Sequence, residues 1–255
     1  MNLVLLDESD LAPDGTARLA GRRAAHVAEV LRAEPGSRIL AGRVGGKLGE
    51  AVVLAASRDE VVLAPRLDRD PPPPSPVALL AALPRPKVLR RVLQAVASMG
   101  VKRLVLLGGY RVERSYFSSP LLADSGIRRE LLVGLEQARD TVLPEVIVRR
   151  LFEPFVEDEL DAFAADRRRL LAHPGEAPPL DGLPGAGGGA AIAIGPEPGW
   201  TEYEAGELVR RGFAPFTLGP RPLRVEVAVP FAIGQVELWL RNPSPRPSPR
   251  SAGRG

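Results

Sequence analysis

The chain contains no cysteine, which excludes disulfides and thiolate catalysis and agrees with a cytoplasmic location. His26 and His173 are its only histidines, too few for a zinc site of the usual His/Cys kind, so no metal is expected. No apolar run approaches the roughly 18 residues that a membrane-spanning helix needs. The opening MNLVLLDESD is acidic and lacks a basic segment, so it does not read as a signal peptide. Neither a Rossmann dinucleotide fingerprint nor a Walker A lysine motif occurs. Lysine is scarce as well, three of 34 basic residues. Arginine favours bidentate phosphate contacts, but biased codon usage in an Ala/Gly/Pro/Arg-rich chain explains the preference better.

What is present begins with enough apolar character for a core, 45% of 255 residues, which allows one large domain or a medium and a small one. The pI of 9.7 suggests a nucleic-acid partner until the charges are located. Residues 1–70 carry 10 basic and 11 acidic groups, net −1, and residues 77–150 carry 13 and 6, net +7. Residues 151–240 carry 7 and 14, net −7, and 241–255 carry 4 and none, net +4. A basic central third beside an acidic last third suits one anion-binding face.

The most informative stretch is Ala190 to Ala228, AAIAIGPEPGWTEYEAGELVRRGFAPFTLGPRPLRVEVA. Ala190 to Ile194 has the length and branching of a buried strand. It stops at Gly195-Pro196-Glu197-Pro198-Gly199, through which neither helix nor strand continues. Thr201 and Glu204 form a capping box that predicts a helix ending near Gly212. A second β-like segment, Phe213 to Leu218, runs into Gly219-Pro220, and Leu223 to Phe231 is a further apolar element bearing arginine. Two Gly-Pro loops thus follow two parallel strands, at the carboxyl edge where open α/β sheets bind ligands. Plain tight turns are the competing reading, since Pro and Gly number 27 and 26.

GPEPGW followed by LGPRPLRVEVA resembles the paired signature of the 16S rRNA uridine-N3 methyltransferases, a trefoil-knotted family of the SPOUT class. Gly195, Pro196, Glu197, Gly199, Glu204, Leu218, Gly219, Arg221, Leu223, Arg224, Glu226 and Ala228 match it in order. The resemblance implies an α/β fold, a SPOUT-type knotted parallel sheet flanked by helices, behind a small N-terminal PUA-like β-barrel. It implies S-adenosylmethionine as cofactor, held by Ile194, Gly195, Pro196, Glu197, Gly199, Leu218, Gly219 and Leu223, and a homodimer that completes the site. Four departures, Pro198, Pro222, Val227 and the 95–98 segment, keep open a knotted RNA-binding protein whose catalysis has decayed. A SPOUT enzyme acting on another RNA nucleotide is the third reading.

In chain order, candidate strands are Asn2 to Leu6, Thr16 to Leu19, Arg38 to Ala41, Gly49 to Ala55 and Val61 to Leu63, which suggest a small barrel over residues 1–70. A helix over Gly21 to Leu31 places Ala24, Val27, Ala28 and Leu31 inward. His26 and Val30-Leu31-Arg32 resemble the family's H-x-x-x-VLR element, so Arg32 is either an RNA contact or a helix C-terminal cap. Asp70 to Pro76 is a proline linker over 71–76. Val77 to Leu83, a helix over Lys87 to Met99 capped by Gly100, and Val101 to Leu107 make a βαβ unit that opens the methyltransferase domain, 77–240. Gly108 to Pro120 interleaves Arg111 and Arg114 with aromatics, which suits RNA as well as it suits a solvated loop. The helix Ile127 to Ala138 is a dimer face or plain core. A helix is expected over Glu157 to Leu171, although Leu170 to Gly175 resembles the family's strand and His-Pro loop. His173 is more often structural than catalytic. The tail, 241–255, has the composition of a disordered segment.

Methyl transfer to uridine N3 requires alignment of donor and nitrogen and help in losing the N3 proton. Arg221 and Arg224 are the candidates to stabilise the developing imide anion, with Glu226 positioning one of them or serving as an ion-pair partner. Arg32, Arg111 and Arg114 are the candidate RNA contacts, and 16S rRNA in the 30S subunit is the expected partner.

Overall fold

The computed structural model describes residues 3–173, 177–183 and 188–241; the expected tail from 242 on, and Pro174-Gly175, lie outside them. The chain forms two compact units, each drawn from separated segments. One takes residues up to Ser75 with Arg85–Leu104 and Arg114–Val146, the other Pro76–Pro84, Val105–Glu113 and the chain from Ile147 on.

In the first unit five strands, β1 (Val4–Leu6), β2 (Ala17–Ala20), β3 (Arg38–Arg43), β4 (Leu48–Ala56) and β5 (Glu60–Arg69), form one sheet in the order β1-β3-β4-β5-β2. Only β1–β3 is parallel. The sheet curves into a nearly closed barrel around Leu6, Ala17, Leu19, Ala41, Ala51, Val53, Val61 and Leu63. Alternation along β2, with Ala17 and Leu19 inside and Arg18 outside, is the period of a half-buried strand. α1 (Gly21–Ala25) continues into a π turn, His26–Val30, closed by Leu31 N–H donating to the His26 carbonyl at 3.0 Å. That extra residue per turn shifts the face: Ala24 and Val27 stay buried while Leu31, expected inside, is exposed.

The same unit packs α2 (Pro86–Ser98) against α3 (Asp124–Ala138). Ile127, Leu131 and Leu135 are buried, so this face of α3 is core. Its buried carboxylates are matched. Glu130 accepts from Gln94 at 2.8 Å, Glu136 takes Arg22 at 3.0 and 3.1 Å, and Asp140 takes Lys102 at 2.6 Å. Each arrangement offsets what an isolated buried charge would cost.

The second unit holds most of a six-stranded sheet, order β11-β9-β10-β6-β7-β8. Its strands are β6 (Val77–Ala82), β7 (Arg103–Leu107), β8 (Glu145–Arg149), β9 (Arg167–Ala172), β10 (Gly189–Ile194) and β11 (Ala214–Phe216). β10 runs parallel to β6 and β9, and β11 parallel to β9. Every residue of β6 is buried, as befits a central parallel strand. Helices α4 (Phe152–Asp158), α5 (Leu160–Phe163), α6 (Glu202–Arg210) and α7 (Val225–Arg241) accompany it. The helix expected over 157–171 does not run that far. It ends by Phe163, Asp166 turns the chain with φ 55°, and 167–172 is a strand. Arg167–Arg169 followed by three buried apolar residues shows no alternation, as in a parallel strand covered on both faces where it enters the core. None of the helices among the described residues is long and apolar enough to cross a membrane.

Candidate active site

Three neighbouring strands of the second unit, β10, β9 and β11, end on the same side. After β10 the chain turns through Gly195 to Trp200, after β9 it reaches His173, and after β11 it runs from Thr217 to Arg224 before α7. A cavity of about 180 Å³ lies among these ends. All eight residues expected to hold a cofactor line it: Ile194, Gly195, Pro196, Glu197, Gly199, Leu218, Gly219 and Leu223. This is the place where parallel α/β sheets take ligands.

The loops owe their shape to local chemistry. Gly199 N–H donates to the Pro196 carbonyl at 2.7 Å, closing the first turn. At Gly195 a Cβ would stand 2.8 Å from the Trp200 backbone nitrogen, so only glycine fits the fold-back. Trp200, 3% exposed, packs on Phe152 with ring centroids 5.8 Å apart. The capping box forms as expected, with the Thr201 hydroxyl accepting from Glu204 N–H and the Glu204 carboxylate accepting from Thr201 N–H at 2.8 Å. In the second loop, Gly219 N–H donates to the Thr217 hydroxyl at 3.2 Å, a Ser/Thr turn.

Of the three residues assigned to catalysis, Arg221 lines the cavity. Arg224 and Glu226 are not part of its lining. Arg224 is exposed at the entry to α7, where its carbonyl accepts from Val227 and Ala228 N–H at 2.9 and 2.8 Å. Glu226 is half-buried in the first turn of that helix. Neither Arg221 nor Arg224 makes an ion pair among the described residues.

The three candidate RNA contacts fare differently. Arg32, in the first unit, has φ 49° and borders a hollow of about 430 Å³ with Arg38 and Arg139. Arg139, the left-handed C-cap of α3, has φ 56°. Arg114 is exposed at the start of the 3₁₀ turn Arg114–Ser118. Arg111 belongs to the second unit, and its guanidinium donates to the Pro198 and Trp200 carbonyls at 2.8 and 3.4 Å.

Sequence reasoning missed several contributors. His173 lines the cavity, and its Nδ1 is buried with no hydrogen-bond partner among the described residues. Glu204, whose structural role was read as a cap, also accepts from Tyr110 N–H at 2.9 Å. Beside it, Tyr110 and Tyr203 meet edge to face at 5.9 Å and both donate to Glu153 Oε1, at 2.8 and 3.2 Å. The hydrogen bond to Glu153 raises the Tyr110 pKa above the usual tyrosine value, and desolvation with the same carboxylate raises that of Tyr203.

A family model described as an RNA methyltransferase domain matches residues 71–237, well over half of the chain, and the chain belongs to that family. It is 31% identical over 261 aligned residues to "Ribosomal RNA small subunit methyltransferase E" of Treponema pallidum, covering 99% of this chain and 97% of that one. A relative with the same description from Synechocystis is 24% identical, covering 90% and 75% of the two chains. Among solved structures, the ribosomal RNA small subunit methyltransferase E of Neisseria gonorrhoeae bound to S-adenosylmethionine superposes with TM-score 0.73 at 21% identity, over 93% of this chain and 97% of that one. A Legionella pneumophila methyltransferase structure with bound S-adenosylmethionine gives the same TM-score, identity and coverage.

Proposed function

We propose that this protein is an S-adenosylmethionine-dependent methyltransferase that methylates N3 of a uridine in the 16S rRNA of the small ribosomal subunit. The observation that carries the reading is the convergence of all eight expected cofactor residues on one cavity at the ends of β10 and β11. The cavity suits such a ligand: it opens at the carboxyl ends of β9, β10 and β11, and the buried His173 Nδ1 has no hydrogen-bond partner among the described residues. When bound, the cofactor supplies an electrophilic methyl group. The chain's part is then to hold it by main-chain groups at 195–199 and 218–219 and by apolar Ile194, Leu218 and Leu223. Arg221, on the cavity wall with no ion pair among the described residues, is the group that would stabilise an imide anion developing at the uracil. Arg224 and Glu226 act from the entry of α7, outside the cavity lining.

The remaining parts of the reading follow from the same resemblance. The chain after β11 threads a trefoil knot of the SPOUT class; residues 77–240 form the methyltransferase domain and 1–70 a PUA-like RNA-binding barrel. Arg32 and Arg114 are RNA contacts, and Arg32 shares its hollow with Arg38 and Arg139. The protein works as a homodimer in the cytoplasm. Val227, Phe231 and Leu238 along one exposed stripe of α7 support a second copy as the covering partner. The rival reading, decayed catalysis, draws on Pro198 and Pro222, which both line the cavity without an N–H to offer.

Nucleoside mass spectrometry after incubation with unmodified 30S particles and S-adenosylmethionine separates these readings. N3-methyluridine is expected. A methyl group on ribose or on another base refutes the substrate assignment, and no methylation with intact cofactor binding favours decay.

A further inference from the structure

The residues that follow β7, Gly108 to Arg111, are tied within the second unit to the turn that follows β10. Arg111 Nη1 donates to the Pro198 carbonyl at 2.8 Å and to the Trp200 carbonyl at 3.4 Å. Tyr110 N–H donates to Glu204 Oε1 at 2.9 Å, and the other oxygen of Glu204 accepts from the Thr201 N–H and hydroxyl, both at 2.8 Å. Glu204 is 1% exposed, so this carboxylate is a buried anchor rather than a surface cap. Gly109 allows the approach, because a Cβ there would stand 2.4 Å from Glu204 Oε1.

The turn needs such support from outside. Prolines at 196 and 198 remove two of its amide donors. The peptide joining Pro198 to Gly199 is gripped at both ends: its N–H donates to Pro196 at 2.7 Å, and its carbonyl accepts from Arg111. A charged donor on a carbonyl makes a stronger hydrogen bond than a neutral pair. The side chain that sequence alone offers to RNA is therefore spent on the shape of the cofactor loop.

We infer that Arg111, with Glu204 as second anchor, is a positioning residue that presets the 196–200 turn for the cofactor. The inference rests on the cofactor reading above and adds a residue to it. Arg111→Ala and Arg111→Lys test it by three measurements on the full chain. Calorimetry with S-adenosylmethionine should give a Kd about tenfold higher for Arg111→Ala, the loss expected of one charge-assisted hydrogen bond. Arg111→Lys, which keeps a charged donor, should return to within about threefold of the parent. Hydrogen exchange should quicken at the Gly199 amide in Arg111→Ala, with the melting temperature nearly unchanged, and affinity for a 16S rRNA fragment should keep the parent's salt dependence. Unchanged cofactor affinity and unchanged exchange at Gly199 would overturn the inference. So would a flattened salt dependence of RNA binding with cofactor affinity intact, which would return Arg111 to the RNA. If the parent protein binds no S-adenosylmethionine, the cofactor reading fails on that result, while the exchange of Gly199 still decides whether Arg111 braces the turn.

Discussion

Replacing Gly195 by alanine probes the cavity with the smallest possible change. The new Cβ would lie 2.8 Å from the Trp200 nitrogen and 3.2 Å from both the carbonyl carbon and the Cα of Gly199. These are backbone atoms of the turn itself, and none can swing aside as the end of a long side chain would. Gly195 does not have a positive φ, so conformational strain adds nothing; the whole effect is contact. Inserting a methyl group into such a site costs about 1–3 kcal/mol when the surroundings must shift. The cheapest relief is to push the 197–200 turn outward, which charges the cost to ligand binding more than to folding. At about 1.4 kcal/mol per tenfold, S-adenosylmethionine should bind roughly five- to hundredfold more weakly by calorimetry. The melting temperature should fall by only a few degrees. Parent-like affinity in a folded Gly195→Ala protein would refute the claim that this turn forms the ligand wall.

Arg221→Ala should lower turnover at saturating cofactor while RNA affinity stays near the parent's, whereas Arg32→Ala with Arg114→Ala should weaken RNA binding and reduce its salt slope by about two phosphate contacts. Filter binding at several salt concentrations, set beside single-turnover rates, distinguishes the two. Glu153→Gln should bring the Tyr110 phenol back toward the ordinary tyrosine pKa in an ultraviolet phenolate titration, since the hydrogen bond to Glu153 is the largest cause of its rise. A raised pKa means that this contribution of the tyrosine is lost as pH rises through its folded pKa; a Tyr110 titration unchanged by Glu153→Gln would contradict it. Phe231→Glu, on the exposed stripe of α7, should convert a dimer to monomers in sedimentation velocity with little change in secondary structure, and an unchanged dimer would move the interface elsewhere.

How legible the site was depended on whether its signals were local. The turns after β10 and β11 were readable because Gly-Pro pairs interrupt short apolar runs, and the capping box at Thr201 and Glu204 marked the start of α6 at Glu202. The βαβ start was readable from the apolar spacing of α2. What the sequence hid is what depends on contacts between distant segments. Arg111 lies among aromatics in a polar stretch and reads as an RNA contact until the turn at 198–200 is brought to it. Asp140 carries no local signal of burial; the fold uses it as the buried partner of Lys102. Leu31 obeys helical spacing but is exposed, because a π turn is invisible to a 3.6-residue period. The strand at 167–172 was masked by its own burial, since three consecutive buried residues, Leu170 to Ala172, leave no alternation to count.

The central position of β6 has a consequence for how the protein is made. Val77–Ala82 leaves the ribosome early, yet its parallel neighbour β10 is encoded at Gly189–Ile194, near the other end of the sheet-forming sequence. Until β10 emerges this wholly apolar strand has one edge with nothing to pair, the condition under which nascent chains aggregate. Pairings so distant in sequence also make folding slow. The yield of active protein should therefore depend less on final stability than on how long that edge is shielded while the rest of the chain emerges.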